Sequence, residues 1–65
     1  MATKNIGEVL KAYRKTKGIT QLELAKLLGI TRPYVVMIEK GTYIPGIKLT
    51  RAIADLTKTP IKDLI

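Results

Sequence analysis

The chain contains no cysteine, histidine, tryptophan or phenylalanine. Without cysteine and histidine it has no disulfide, no thiol nucleophile, no imidazole base and no ordinary set of zinc ligands, so neither an enzyme nor a metal or other cofactor is expected. Its aromatic residues are three tyrosines, too few for the stacking platforms that bind single-stranded nucleic acid. These absences favour a protein that works by binding.

Long hydrophobic runs are absent as well. No apolar stretch approaches the roughly 18 residues of a membrane span, and no short apolar segment follows a basic start as in a signal peptide. We therefore expect no membrane contact and a cytoplasmic protein, which suits a chain without cysteine. With 65 residues, 46% of them hydrophobic, the chain has room for one small folded domain, and no small-molecule ligand is expected.

Positive charge is in large excess, because 12 lysines and arginines face 5 acidic residues and give a net charge of +7. A basic excess of this size attracts polyanions such as nucleic acid or an anionic membrane surface. The basic residues are spread along the chain instead of lining one helical face, so a membrane-surface peptide is the weakest interpretation. A small chain without disulfides or metal needs close helix packing or subunit association, and we expect both.

Apolar residues recur at the helical period, which predicts an all-α chain. Residues 1–5 are expected to form a flexible basic arm, and residues 6–65 a single domain. Within it the pattern predicts helices over 6–17, 21–28, 32–40 and 47–57, followed by a last short helix that Pro60 opens. The apolar faces of the second and fourth helices are predicted to consist of Leu22, Ala25, Leu27 and Leu28, and of Leu49, Ala52, Ile53 and Leu56.

Polar residues and glycines mark the helix ends. Asn5 is the predicted N-cap of the first helix, and Thr20 with Glu23 has the capping-box spacing that begins the second. Gly29 suits the left-handed residue that closes the second helix, and Thr31 is predicted to cap the third. A short helix, a three-residue turn with glycine and a steeply crossing helix make a helix-turn-helix, whose second helix enters the DNA major groove.

These residues resemble those of a known family. The sequence is similar to the Xre/Cro-like helix-turn-helix regulators over about residues 6–65, at Leu22, Ala25, Leu28, Gly29, Ile30, Thr31, Val35, Ile38, Glu39, Lys40, Gly41 and Pro45. The resemblance implies a compact five-helix lambda-repressor-like fold in which helices 2 and 3 form the helix-turn-helix. It also implies a sequence-specific regulator that binds double-stranded DNA.

The resemblance assigns DNA contacts to two groups of residues. It places base contacts at the start and outer face of helix 3, at Thr31, Arg32, Pro33, Val36 and Met37. It places phosphate contacts at the start of helix 2 and in the loop after helix 3, at Thr20, Gln21, Lys40, Gly41, Thr42 and Tyr43. Free amides and the dipole at a helix start support the role of Gln21, although a solvated first-turn side chain is the alternative.

Arg32 is the strongest candidate for base recognition, because an arginine can form two parallel hydrogen bonds with guanine; a phosphate contact or a merely solvated charge is its alternative. Val36 and Met37 depart from the polar or basic residues usual at these family positions. Apolar side chains there can pack against thymine methyl groups, which predicts an A/T-containing half-site. Alternatively, Tyr34, Val36 and Met37 form an interaction patch for another protein chain.

Other positions of the resemblance concern structure and assembly. Arg14 and Glu39 stand where the family often has a partly buried salt bridge between helices 1 and 3. Arg51 stands at a commonly apolar position, so helix 4 is either slightly rotated or leaves Arg51 exposed. The family commonly dimerises through the loop before helix 4 and the end of the domain, which implies a dimer interface at Ile44, Ile61, Leu64 and Ile65. Covering the monomer core is the alternative role of Ile61 and Leu64.

We therefore expect a homodimeric repressor that occupies an inverted-repeat operator and is associated with the nucleoid when bound to DNA. Two other functions stay open. One is a protein-interaction or antitoxin-like module with the same fold, and the other is the isolated DNA-binding domain of a longer regulator. The salt dependence of binding separates an interface made with phosphates from a hydrophobic protein interface.

Overall fold

The computed structural model of the protein describes residues 5–64. Four α-helices follow one another: α1 (Ile6–Lys17), α2 (Gln21–Leu28), α3 (Arg32–Lys40) and α4 (Ile47–Thr57), with a 3₁₀ helix at Ile61–Asp63. No strand occurs in this part of the chain, so the predicted all-α fold is confirmed. The predicted last short helix after Pro60 is a single 3₁₀ turn, so the five-helix count is confirmed only in part. Of the predicted arm, residues 1–4 lie outside the described residues.

Side-chain caps fix where the helices begin. The Gly7 amide donates to Oδ1 of Asn5 at 2.8 Å, so Asn5 caps α1 as predicted. The capping box of α2 is complete, since the Glu23 amide donates to the Thr20 hydroxyl at 3.1 Å and the Thr20 amide donates to the Glu23 carboxylate at 2.8 Å. Thr31 occupies the N-cap position of α3, but its side chain makes no capping hydrogen bond. That part of the prediction is wrong.

Residues from all four α-helices meet in one core. The large side chains that are fully buried are Leu10, Leu24, Val35, Ile38 and Ile53. Tyr13, Ile19, Leu28, Ile30, Tyr34, Leu49, Leu56 and Leu64 are partly buried and pack around them. Burying apolar side chains stabilises the fold by about 1.5 to 3 kcal/mol for each large residue, and this core holds α2 and α3 in a fixed relation.

The buried face of α2 differs from the predicted one. Leu22 and Leu27 are 50% and 59% exposed, whereas Leu24 is fully buried beside Ala25. Leu24, Ala25 and the half-buried Leu28 share one narrow side of the helix, and Leu22 and Leu27 lie on its two flanks. Apolar residues occupy more than half of the circumference of α2. The sequence pattern therefore does not show which side the other helices cover.

Helix α4 is rotated relative to the prediction. Ala52 and Arg51 are exposed, and the buried positions are Thr50, Ile53 and Ala54. Thr50 tolerates burial because its hydroxyl donates to the carbonyl of Gly46 at 2.9 Å and to that of Pro45 at 3.3 Å. The core is thus kept although the helix is rotated, and Arg51 is exposed as well.

Among the described residues, no helix combines the length and the hydrophobicity that crossing a membrane requires.

Helices α1 and α3 approach most closely at Gly7. This residue is buried, and a Cβ atom added to it would overlap the backbone carbonyl of Ile38 and lie 3.1 Å from that of Glu39. Because the obstructing atoms belong to the backbone of α3, they cannot move aside as a flexible side chain would. The space beside Gly7 therefore fixes the distance between α1 and α3.

Replacing Gly7 by alanine is expected to lower the free energy of unfolding by about 1 to 3 kcal/mol, because the two helices must separate to admit a methyl group. Urea denaturation followed by circular dichroism measures this loss. Gly46→Ala is the matched control: Gly46 has φ −69° and open space around its Cα, so its cost should stay within about 1 kcal/mol. Equal stability of the two variants would contradict the close approach.

Candidate nucleic-acid interface

The turn between α2 and α3 is built by a glycine and an apolar residue. Gly29 has φ 70°, a left-handed conformation that other residues adopt only with strain. The next amide, that of Ile30, donates back to the carbonyl of Ala25 at 2.9 Å, and the Ile30 side chain packs on the core. The turn thus holds the start of α3 at a fixed angle to α2.

The outer face of α3 is free of contacts with the core. Its five residues lie within an arc of about 140° around the helix axis, opposite the buried Val35 and Ile38, and they are Arg32, Pro33, Val36, Met37 and Lys40. All of these except the half-buried Val36 are exposed, and Met37 is 42% exposed. Every residue predicted to contact bases is therefore on this face, apart from Thr31, which is exposed directly before it.

Uncommitted polar groups cluster where α3 begins. The first backbone amide to donate within the helix is that of Val35, to the carbonyl of Thr31 at 3.2 Å. The amides of Arg32 and Tyr34 make no such bond, and Pro33 has no N–H. Because the Thr31 hydroxyl does not cap them, these amides present partial positive charge beside the Arg32 guanidinium.

Gln21, the predicted phosphate contact of α2, is tied to α3. Its side-chain amide donates to Oε1 of Glu39 at 3.3 Å. Arg14 in turn donates to both carboxylate oxygens of Glu39, from Nε at 2.9 Å and from Nη2 at 3.1 Å. The Glu39 side chain is only 5% exposed, and its hydrogen bond is the main reason that the pKa of Arg14 is raised. Arg14 and Glu39 thus form the ion pair that the resemblance implied.

The loop after α3 uses part of its hydrogen-bonding capacity internally. The Gly41 amide donates to the carbonyl of Ile38 at 3.1 Å, and both the amide and the hydroxyl of Thr42 donate to the carbonyl of Met37, at 3.1 and 3.2 Å. These donors close α3, as backbone groups at a helix C-terminus commonly do. A phosphate contact by Gly41 or Thr42 therefore competes with a bond that already exists.

Tyr43 leaves the same loop toward solvent and is 40% exposed. Its ring packs edge-to-face on the ring of Tyr34, with the centroids 4.9 Å apart and the planes at 79°. Tyr34 itself is half-buried against the core. The side chain of Tyr43 and, second, desolvation raise the pKa of Tyr34 above its ordinary value. The sequence did not predict this pair.

The predicted dimer residues have different environments. Ile44 is 81% exposed at the tip of the loop before α4. Ile61 and Leu64 are half-buried, and Leu64 packs against the core; Ile65 lies outside the described residues. Ile47, which the prediction omitted, is 57% exposed in the first turn of α4. Ile44 and Ile47 are the large apolar side chains of this loop region that the monomer does not cover.

Comparison with known proteins identifies the class. The family model described as helix-turn-helix matches residues 10–64. An uncharacterised HTH-type transcriptional regulator of Methanocaldococcus jannaschii is 44% identical over 55 residues, which cover 85% of this chain and 83% of the relative. The ImmF control region 10 kDa protein of Bacillus phage phi105 is 43% identical over 53 residues, covering 82% of this chain and 59% of that protein.

Solved structures share the architecture. The P22 c2 repressor, determined in complex with a synthetic operator, has a TM-score of 0.82 at 24% identity, covering 95% of this chain and 96% of its own. The restriction-modification controller protein C.AhdI of Aeromonas hydrophila has a TM-score of 0.74 at 28% identity, covering 92% of this chain and 87% of its own. At 24% identity, the likeness to the P22 c2 repressor shows a shared fold and nothing more.

The chain belongs to the Xre/Cro-like helix-turn-helix family of DNA-binding transcriptional regulators. The comparisons thus confirm the family that the sequence predicted. They also confirm that the protein is a regulator and not an enzyme.

Proposed function

We propose that the protein is a homodimeric repressor that binds an inverted-repeat operator, with the outer face of α3 in the major groove. The observation that carries this proposal is the outer face of α3, which points away from the core. The opposite side of the helix is anchored by the fully buried Val35 and Ile38. A rigid, convex helix of this kind fits the width of the major groove of B-DNA. The proposed place of action is the cytoplasm, on nucleoid DNA.

Base recognition is assigned to the first turns of α3. Arg32 is exposed at the helix start, where a long side chain reaches the floor of the groove and can pair with O6 and N7 of guanine. Val36 and Met37 lie one turn further on and offer only apolar surface, which suits the methyl groups of thymines. Thr31, whose hydroxyl is not used for capping, and Pro33 flank these contacts.

Phosphate contacts are assigned to both sides of this face. Gln21 keeps a second amide hydrogen to donate to a phosphate while it is bonded to Glu39, and the exposed Thr20 lies beside it. On the other side, Lys40 and Tyr43 are exposed residues, and the ammonium group and the hydroxyl can bind the backbone of the opposite strand. Gly41 and Thr42 contribute less in this proposal, since their donors already close α3.

Dimerisation is assigned to the loop before α4 and the end of the domain. Ile44 and the neighbouring Ile47 provide the exposed apolar area. The family resemblance adds the apolar residues at the end of the domain, Ile61, Leu64 and Ile65. A twofold axis there would set two α3 helices about 34 Å apart, one turn of B-DNA. The P22 c2 repressor, which shares the fold, was determined on an operator, and this supports the proposed mode of binding.

Selection of bound duplexes from a random pool tests this function. The expected result is two copies of one half-site in inverted orientation, with centres about 10 base pairs apart and with A·T pairs beside a G·C pair. Single half-sites without fixed spacing would contradict the dimer, and the absence of any enriched sequence would contradict sequence-specific binding.

Substitutions of Arg32 and Gln21 separate base contacts from phosphate contacts. Arg32→Ala is expected to weaken operator binding by about 1 to 3 kcal/mol and to relax the preference at one base position of each half-site. Gln21→Ala should weaken operator and unrelated duplexes by the same factor, because a phosphate contact carries no sequence information. Fluorescence anisotropy with both duplexes measures this. Unchanged affinity and preference in both variants would show that the site is assigned wrongly.

A protein-binding function is the second candidate, and a specific observation favours it. Leu22 and Leu27 are 50% and 59% exposed on the two flanks of α2, and exposed leucines suit a protein partner. Affinity for a protein but none for any duplex would favour this candidate.

A further inference from the structure

We propose that Tyr34 is a positioning residue: its ring holds Tyr43 and the loop after α3 in the conformation that binds a DNA phosphate, without itself touching DNA. This inference rests on the proposed function, since it concerns how one of the phosphate contacts is prepared. Tyr34 belongs to α3 but lies outside the row of residues from Arg32 to Lys40 that faces away from the core.

The loop between α3 and α4 is fastened at both ends. At its start, the amide and the hydroxyl of Thr42 donate to the carbonyl of Met37. At its end, the hydroxyl of Thr50 donates to the carbonyls of Pro45 and Gly46. Between these fastenings stand Tyr43 and Ile44, whose amides donate to no acceptor within residues 5–64. Backbone hydrogen bonds therefore leave the middle of the loop without direct support.

The ring of Tyr34 supplies that support. One side of the Tyr34 side chain packs on the core and lines an open groove together with Leu28, Ile30 and Leu49. Its other side meets the ring of Tyr43 at 4.9 Å in an edge-to-face arrangement. Through this contact a half-exposed tyrosine is joined to the rigid core, and its hydroxyl and the adjacent free amides are held in one place.

Preorganisation of this kind strengthens binding because the loop loses less conformational freedom when the phosphate docks. The effect is independent of DNA sequence, since phosphates are the same at every base pair. Loss of the Tyr34 ring should therefore weaken all duplexes by one factor, and it should matter only while Tyr43 is present to be positioned.

The test uses four variants of the full chain: Tyr34→Leu, Tyr34→Phe, Tyr43→Ala, and Tyr34→Leu combined with Tyr43→Ala. Leucine keeps apolar bulk against the core, so that the fold survives, and phenylalanine keeps the ring while it removes the hydroxyl. Affinities for the selected operator and for an unrelated duplex are measured by fluorescence anisotropy at one salt concentration. ¹⁵N relaxation of the free proteins reports the mobility of the Tyr43 amide.

We expect Tyr34→Leu to weaken both duplexes alike, by about three- to tenfold, while Tyr34→Phe stays within about twofold of the unmodified protein. The double variant should bind as Tyr43→Ala does. In the free protein, Tyr34→Leu should increase the mobility of the Tyr43 amide and leave the mobility of the Val35 and Ile38 amides unchanged. A general loss of packing would instead increase the mobility of all three amides.

Four results would overturn the proposal: a changed base preference in Tyr34→Leu, an equal loss in Tyr34→Phe, additive losses in the double variant, or an unchanged Tyr43 amide. Failure of the proposed function has a different signature. In that case the unmodified protein binds neither duplex, and the positioning role falls with it, whereas normal binding together with any of the four results rejects the positioning role alone.

Discussion

Replacing Arg14 by methionine is expected to lower the free energy of unfolding by about 3 to 5 kcal/mol. A domain of this size has a total stability of about the same magnitude, so the variant should be largely unfolded at room temperature. The cause is the Glu39 carboxylate, which is 5% exposed. It would lose both hydrogen bonds from Arg14 and keep only the weaker bond from Gln21 at 3.3 Å.

Circular dichroism, recorded first without denaturant and then across a urea series, measures this effect, and the Glu39→Met variant supplies the control. If the loss reflects an uncompensated buried charge, then the double variant Arg14→Met with Glu39→Met should recover most of the stability, because a pair of apolar side chains leaves no charge unpaired. Additive losses, or a loss below about 1 kcal/mol in Arg14→Met, would contradict this account.

DNA affinity is expected to fall about 10³- to 10⁵-fold when the salt concentration rises from about 50 to about 200 mM. This range corresponds to about six to ten phosphate contacts, as two protomers with three to five contacts each would make, and the logarithm of affinity should decline linearly with the logarithm of salt concentration. The net charge of +7 makes such a dependence possible. Fluorescence anisotropy across a salt series gives the slope.

Two charge variants show which contacts produce that slope. Lys40→Gln removes a cation from the outer face of α3, and it should reduce the slope by about one phosphate for each protomer. Lys11→Gln removes the same charge from an exposed position on α1, and it should leave the slope nearly unchanged. A flat salt response of the unmodified protein would favour binding through a hydrophobic protein interface. Equal slopes for the two variants would contradict the phosphate contact assigned to Lys40.

The ends of the four α-helices could be predicted from the sequence because their signals are local. Asn5 and Thr20 bond to amides within three residues of themselves, and Gly29 adopts its left-handed conformation within the turn that it closes. Such contacts depend on neighbours along the chain and on little else. The outer face of α3 was expected from the family resemblance and not from helical spacing, because residues 34–38 are all apolar.

Features that depend on contacts between helices could not be predicted in this way. Thr50 is buried in α4 because acceptors in the preceding loop satisfy its hydroxyl, and no periodicity of hydrophobic residues indicates this. Leu22 and Leu27 are exposed because the rest of the molecule covers only one side of α2. The contact between Tyr34 and Tyr43 depends on the conformation of the loop that follows α3. The sequence shows two tyrosines, one in α3 and one in that loop, but not that their rings meet.

Chemical-shift mapping tests the central claim most directly. The ¹⁵N-labelled protein is titrated with the duplex selected from the random pool, and the backbone amides are followed. The claim predicts large shifts for residues 31–37 and for the start of α2, with the amides on the far side of α1 nearly unmoved. Shifts confined to α1 or α4, with residues 31–37 unmoved, would contradict it.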